Sequence, residues 1–194
     1  LGKMYNALSS IPVIQNSSLV AIENGMTLGV LFDQLEGFRE KIKVPVILMG
    51  YVNTVIQFGI EAFCERCAKV GIDGVILPDL PFFEYTTTYK ALFDKKGLLN
   101  VFLITPQTSE ERIKELDAAS EGFLYLVSSA STTGSTKQHN NIEGYLTRIN
   151  EMGLKSNTVV GFNIKDQESY QMACKYSDGA IIGSAFIKAI DGSV

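Results

Sequence analysis

The sequence has a single histidine, three cysteines, no excess of positive charge and no apolar run of membrane-spanning length. Each scarcity excludes something. A hydroxyl or thiol nucleophile needs a base beside it, and His139 stands alone in a polar stretch, so no nucleophile–histidine pair is visible. Three cysteines, an odd number in 194 residues, point to reduced thiols and a cytosolic setting. A net charge of −4 argues against nucleic acid or an anionic membrane as the main partner. The opening residues, LGKMYNALSS, lack the apolar core of a signal peptide. No linker or low-complexity tract divides the chain, so one domain, 1–194, is expected.

What is present is 46% hydrophobic and 20% charged, a balance that can bury a core without staples. The segment FCERC places Cys64 and Cys67 at CxxC spacing. Zinc would need two more ligands, and the chain offers only Cys174 and His139. Ile60, Phe63, Cys64, Cys67 and Val70 share one stripe of a helix expected over Phe58–Val70, so the pair reads as small core residues and no metal is expected.

Apolar runs recur at Pro45–Met49, Gly74–Leu77, Val101–Ile104, Phe123–Val127, Thr158–Gly161 and Ala180–Ile182. They lack strict alternation, as parallel strands covered on both faces do. Helical patterns lie between them, with Gly71, Gly97, Gly122, Gly153 and Gly179 placed to end helices and Thr108–Glu111 placed as a capping box. This is an α/β chain of six βα units. Counting favours an open sheet, because a (β/α)8 barrel needs eight strands and about 250 residues.

Either fold handles ligands at the C-terminal ends of its strands. The last two of these ends, Phe162-Asn163 and Gly183-Ser184, supply the small or polar residues that a cradle of backbone amides requires. In GAIIGSAFIKAI, a strand turns into a helix through Gly183-Ser184 alone. Tight packing explains that, and so does an anion at the helix N-terminus; both readings stay open. Ser128–Asn141 is a long polar insertion suited to a closing lid or to a solvated loop. Asp79 is the one carboxylate near a strand end, in a catalytic, structural or interface role. Lys165 lies two residues past Asn163, a poor place for a Schiff-base lysine.

Taken in order, PVILMGYVN, GIDGVILPDLPFFE, FLITPQTSEERI, GFLYLVSSASTTG, VVGFNI and GAIIGSAFIKAI resemble the tryptophan synthase alpha subunits, from about Pro12 to about Ile190. The resemblance implies a (β/α)8 TIM barrel rather than an open sheet. It implies retro-aldol cleavage of indole-3-glycerol phosphate to indole and glyceraldehyde 3-phosphate, no cofactor in this subunit, and a beta subunit partner in an alpha2-beta2 assembly. It also implies that the first two βα units, which hold the catalytic glutamate and aspartate, and the last helix are missing, with a break near residues 7–12.

Residue by residue, the resemblance implies that Met49, Ile76 and Ile181 line the indole pocket, although the first reading of such residues is plain core. Tyr125 stands near the reacting end of the substrate, and Phe162 on its indole side. Thr133 and Gly134 belong to the lid, the glycine near the phosphate held by Asn163, Gly183 and Ser184. Tyr51, Asn53, Asp79, Leu80 and Pro81 face the beta subunit. Asn163 stands where many members have glycine, and Ser129 where an arginine is common. Two other classes fit the same pattern: another phosphate-binding barrel enzyme of amino-acid biosynthesis, and a non-catalytic activating subunit.

Overall fold

A computed structural model describes residues 12–127, 137–161, 164 and 166–191. Two compact units, residues 1–101 and 102–194, divide the chain within its third strand.

In the first unit, helices α1 (Pro12–Glu23) and α2 (Leu28–Gln34) and a 3-10 turn (Phe38–Glu40) precede β1 (Ile47–Met49). Helices α3 (Val52–Phe58) and α4 (Ile60–Val70) follow, then β2 (Gly74–Ile76). A helical run comes next: α5 (Phe82–Glu84), a π-helical segment (Tyr85–Tyr89) and α6 (Lys90–Lys96). It leads into β3 (Leu99–Ile104), whose first half pairs in parallel with β2, as β2 does with β1.

The helix expected over Phe58–Val70 is broken at its second residue, because Gly59 has φ +93. Beyond the break, α4 buries Phe63, Cys64, Cys67 and Val70 as the stripe requires. Phe32 of α2 meets Phe63 and Phe58, both at 5.7 Å between ring centroids. Phe32 is fully buried, and its truncation to alanine would cost about 3–5 kcal/mol.

Arg39 ties the base of this unit. Its Nε donates to Gly71 O at 2.7 Å, one Nη to Val44 O at 2.7 Å, and the other pairs with Asp73. Gly71 ends α4 at φ +89, and a Cβ there would meet Arg39 Cγ at 2.8 Å, so only glycine fits under the arginine.

In the second unit, β3 continues in parallel with β4 (Phe123–Val127) by way of α7 (Glu110–Ala119). Helix α8 (Lys137–Glu151), β5 (Asn157–Gly161), α9 (Gln167–Tyr176), β6 (Gly179–Ala180) and α10 (Ser184–Asp191) complete it. The β4–β5 and β5–β6 pairings are also parallel. Leu124, Leu126, Val160, Ile113, Leu146 and Ile149 form its core.

Several sequence expectations move. Ser109, not Thr108, caps α7 by accepting from Arg112 N; Thr108 Oγ1 instead accepts from Thr105 N at 3.0 Å. Gly122 and Gly179 end no helix, since Ser120 and Ser177 are the C-caps. Helix α8 begins at Lys137, so the polar insertion Ser128–Asn141 turns helical before its end. Five of the six apolar runs are strands with shifted ends, β1 being shorter than Pro45–Met49 and β3 starting two residues before Val101, whereas of Ala180–Ile182 only Ala180 is in a strand, β6. The expected break near residues 7–12 falls mainly on residues outside the described ones.

One device sits at the start of two strands, once in each unit. Asp73 N donates to Val46 O at 3.0 Å while Val46 N donates to Asp73 Oδ2 at 2.7 Å. Asp178 N donates to Thr158 O at 2.9 Å while Thr158 N donates to Asp178 Oδ2 at 2.7 Å. In each case an Asp-Gly pair opens a strand and grips the start of the strand before it.

Candidate functional site

Parallel strands deliver their C-terminal ends, and the loops after them, to one face of a sheet. In the first unit, those ends belong to β1 and β2. Met49 and Ile76 are register partners on these strands, so their side chains share a face. Ile76 is buried, as plain core would be, whereas Met49 is exposed. The loops after the two strands are joined by one bond: Asp79 Oδ1 accepts from Val52 N at 2.9 Å. Tyr51, the N-cap of α3, provides no side-chain cap. Asp79 therefore caps α3 from a neighbouring loop, a structural role that sequence spacing left open beside two others. Asn53 and Pro81 are exposed nearby in sequence, with Ile56 and Phe83 adding exposed apolar area.

In the second unit, Tyr125 lies on β4 and is buried, which pushes its phenol up to about 12. A phenol in that range is no base at neutral pH; its use is to fill space and to orient. It fills the space above Gly161 of β5: a Cβ built on that glycine would meet Tyr125 Cε1 at 2.5 Å. Sequence reading named Tyr125 but not Gly161, because the pairing depends on strand register.

Gly183 and Ser184 stand where expected. Gly183 O accepts from Phe186 N at 2.9 Å and from Ile187 N at 3.1 Å, which makes it the residue on which α10 starts. The N–H groups of Ser184 and Ala185 precede the first helical bond and point out of the helix end. A Cβ on Gly183 would meet nothing within 4 Å, so tight packing, one of the two sequence explanations, does not account for the glycine. Ile181 is half-buried, and its N–H donates to Val160 O at 2.7 Å. Thr133, Gly134, Phe162 and Asn163 lie outside the described residues, as do Ser129 and Lys165.

Among the described residues, no cluster of three metal-ligating side chains is present. Cys64 and Cys67 are fully buried, and burial pushes their thiols up to about 11 and about 12. No helix among the described residues is long and apolar enough to cross a membrane.

Two residues that sequence reading passed over act on the end of β3. Tyr145 Oη donates to Ile104 O at 2.9 Å, and the Arg148 guanidinium donates to Pro106 O at 3.1 Å and to Thr108 O at 3.3 Å. Both lie on α8, where a helical wheel gives Tyr145 to the core but makes Arg148 one more surface charge.

Comparison with known proteins is consistent across sequence and structure. The family described as "Tryptophan synthase alpha chain" matches residues 6–193. The tryptophan synthase alpha chain of Flavobacterium johnsoniae is 54% identical over 187 residues, covering 96% of this chain and 74% of that protein. That of Bacteroides thetaiotaomicron is 45% identical over 180 residues, covering 92% and 70%. A crystal structure of the alpha chain from Legionella pneumophila superposes with a TM-score of 0.80 at 29% identity, over 94% of this chain and 68% of that one. A structure of the tryptophan synthase complex from Pyrococcus furiosus gives 0.80 at 28% identity, over 94% and 72%.

Proposed function

The chain belongs to the tryptophan synthase alpha chain family, lyases that cleave indole-3-glycerol phosphate, and we propose that its second unit holds the phosphate of that substrate on Gly183 and Ser184. The observation that carries this reading is the start of α10. A glycine with open space above it leads into a helix end whose leading amides and positive dipole end suit a dianion. Asn163 and Gly134, which lie outside the described residues, are assigned to the same phosphate in this reading. Ile181 is assigned to the indole side, and Phe162 and Thr133, outside the described residues, to substrate binding.

Cleavage puts a proton on indole C3, takes one from the indole N–H, and takes the proton of the glycerol hydroxyl as the C–C bond breaks. That calls for at least two placed acid/base groups. Tyr125 is not the base among them, because its buried phenol keeps its proton. In this reading it presses on the reacting end of the substrate and sets its angle, while the catalytic glutamate and aspartate stand in βα units that complete the (β/α)8 barrel. No cofactor is required of this subunit, since every step is a proton transfer or the cleavage itself.

The first unit carries the partner reading. Tyr51, Asn53, Asp79 and Pro81, with Phe83 exposed beside them in sequence, form the docking face for a beta subunit that receives the indole in an alpha2-beta2 assembly. The exposed apolar area of Ile56 and Phe83 supports it. A cytoplasmic location fits the reduced thiols.

Gly183→Asp in the full-length protein is the test. The added carboxylate repels a dianion by about 4 kcal/mol at 4 Å and an effective dielectric of 20, for each unit of charge. Titration calorimetry with glycerol phosphate should show binding abolished, with Gly183→Ala folded and much less affected. Unchanged binding in folded Gly183→Asp would remove the phosphate from this place. Absence of indole release by the intact parent protein would favour a non-catalytic activating subunit.

A further inference from the structure

We infer that Arg148, working with Tyr145, is a positioning residue that fixes the turn after β3 on the substrate-binding face. The inference rests on the reading above that substrate sits at the strand C-termini.

The turn Thr105–Thr108 closes on itself: Thr108 N donates to Thr105 O at 3.0 Å, Thr105 N donates to Thr108 Oγ1 at 3.0 Å, and the two hydroxyls lie 3.1 Å apart. Such a knot sets the shape of the turn but not its angle to the sheet. The angle is set from α8. Three carbonyls at alternate positions, Ile104, Pro106 and Thr108, all accept from two side chains about one helical turn apart. The two donors brace each other, with the Arg148 Cζ 5.8 Å from the centre of the Tyr145 ring. Tyr145 is buried and its phenol is pushed up by desolvation, so it remains a donor over the whole working pH range.

Guanidinium geometry matters here. Its planar fork delivers N–H groups from two separate nitrogens to two carbonyls in a fixed geometry, whereas an ammonium offers its donors from a single freely rotating nitrogen. The strand being held runs beside the one that carries Tyr125: Leu103 pairs with Tyr125 and Ile104 with Leu126. A turn released from Arg148 therefore loosens the strand end next to the phenol proposed to orient the substrate.

The test uses the full-length alpha chain with indole-3-glycerol phosphate, well below the melting temperature of every variant. Arg148→Met should lower kcat/KM on the order of tenfold, the scale of a slight misplacement in a preorganised site. Arg148→Lys should recover part of that loss, and amide exchange at Thr105 and Thr108 should accelerate in the Met variant. A role in stability alone predicts a lower melting temperature with kcat/KM within twofold of the parent in both variants, and that result overturns the inference. Should Arg148→Met fail to fold, Arg148→Lys and Tyr145→Phe decide by the same criterion. A parent protein that releases no indole overturns the functional reading, and this inference with it.

Discussion

The Tyr125 phenol occupies the space that a side chain on Gly161 would need. A Cβ on that glycine would meet Cε1 of the ring at 2.5 Å, with Cζ and the hydroxyl closer still. The two residues sit on neighbouring parallel strands, both buried, so neither can step aside into solvent.

Gly161→Ala should therefore destabilise the protein by about 1–3 kcal/mol, as overpacking does, and disturb substrate orientation. Combined with Tyr125→Leu, the alanine should cost much less than it does alone. A double-mutant cycle of urea midpoints measures this. Effects that add to within about 0.5 kcal/mol would mean the two positions are independent.

Asp79→Ala removes the acceptor that caps α3 at Val52 N. The expected cost is about 1 kcal/mol, typical of a lost cap, together with weaker activation of a cognate beta subunit because the Tyr51–Asn53 segment is no longer anchored. Asp79→Asn keeps an oxygen acceptor and should restore most of both. Equal behaviour of the two variants in a partner-activation assay would count against anchoring.

Asp117 gives a pH-dependent contribution. Burial pushes its carboxyl up, but amide donations from Lys155 at 3.0 Å and Ser156 at 2.9 Å, with the Lys155 charge, hold it below the usual aspartate range. A depressed native pKa stabilises the fold above the unfolded value and loses that contribution as pH falls through the native one. Urea unfolding of Asp117→Asn against the parent should thus show its largest gap at neutral pH. The gap should close below about pH 4, the ordinary aspartate value; a gap independent of pH would exclude the charge as its source.

Thiol reactivity should split one to two. Cys174 is exposed, whereas Cys64 and Cys67 are buried with thiols held protonated. An aromatic disulfide reagent at pH 8 should titrate one thiol quickly in the native protein and two more after denaturation. Three fast thiols would show that α4 does not keep its stripe buried.

The legible parts of this fold are those that depend on neighbours in sequence. Apolar runs made the strands readable, although Met49 of β1 is exposed and the last run holds only Ala180 of β6, and the stripe of Cys64 and Cys67 followed from helical spacing alone. What was illegible depends on distance in sequence. Gly161 looks like any glycine until register brings it beneath Tyr125, and Arg148 looks like a solvated charge until the turn after β3 presents its carbonyls. Thr108 and Ser109 both fit a helix cap, and only the competing bond with Thr105 takes Thr108 away. Repetition was the missed clue. Asp73 and Asp178 each stand just before a strand that opens on glycine, and each does the same thing.

That repeated grip has a consequence for how such a chain can change over generations. Parallel neighbours have no hairpin to align them, and the connecting helices are long enough to absorb added or lost residues on their solvent side. With Asp73 holding Val46 and Asp178 holding Thr158, alignment is fixed at the strand's first step, independently of the length of the crossover. Drift in helix length between lineages should therefore be tolerated. A single residue inserted between Asp73 and Gly74 should not be, because it would turn every side chain of β2 to the opposite face.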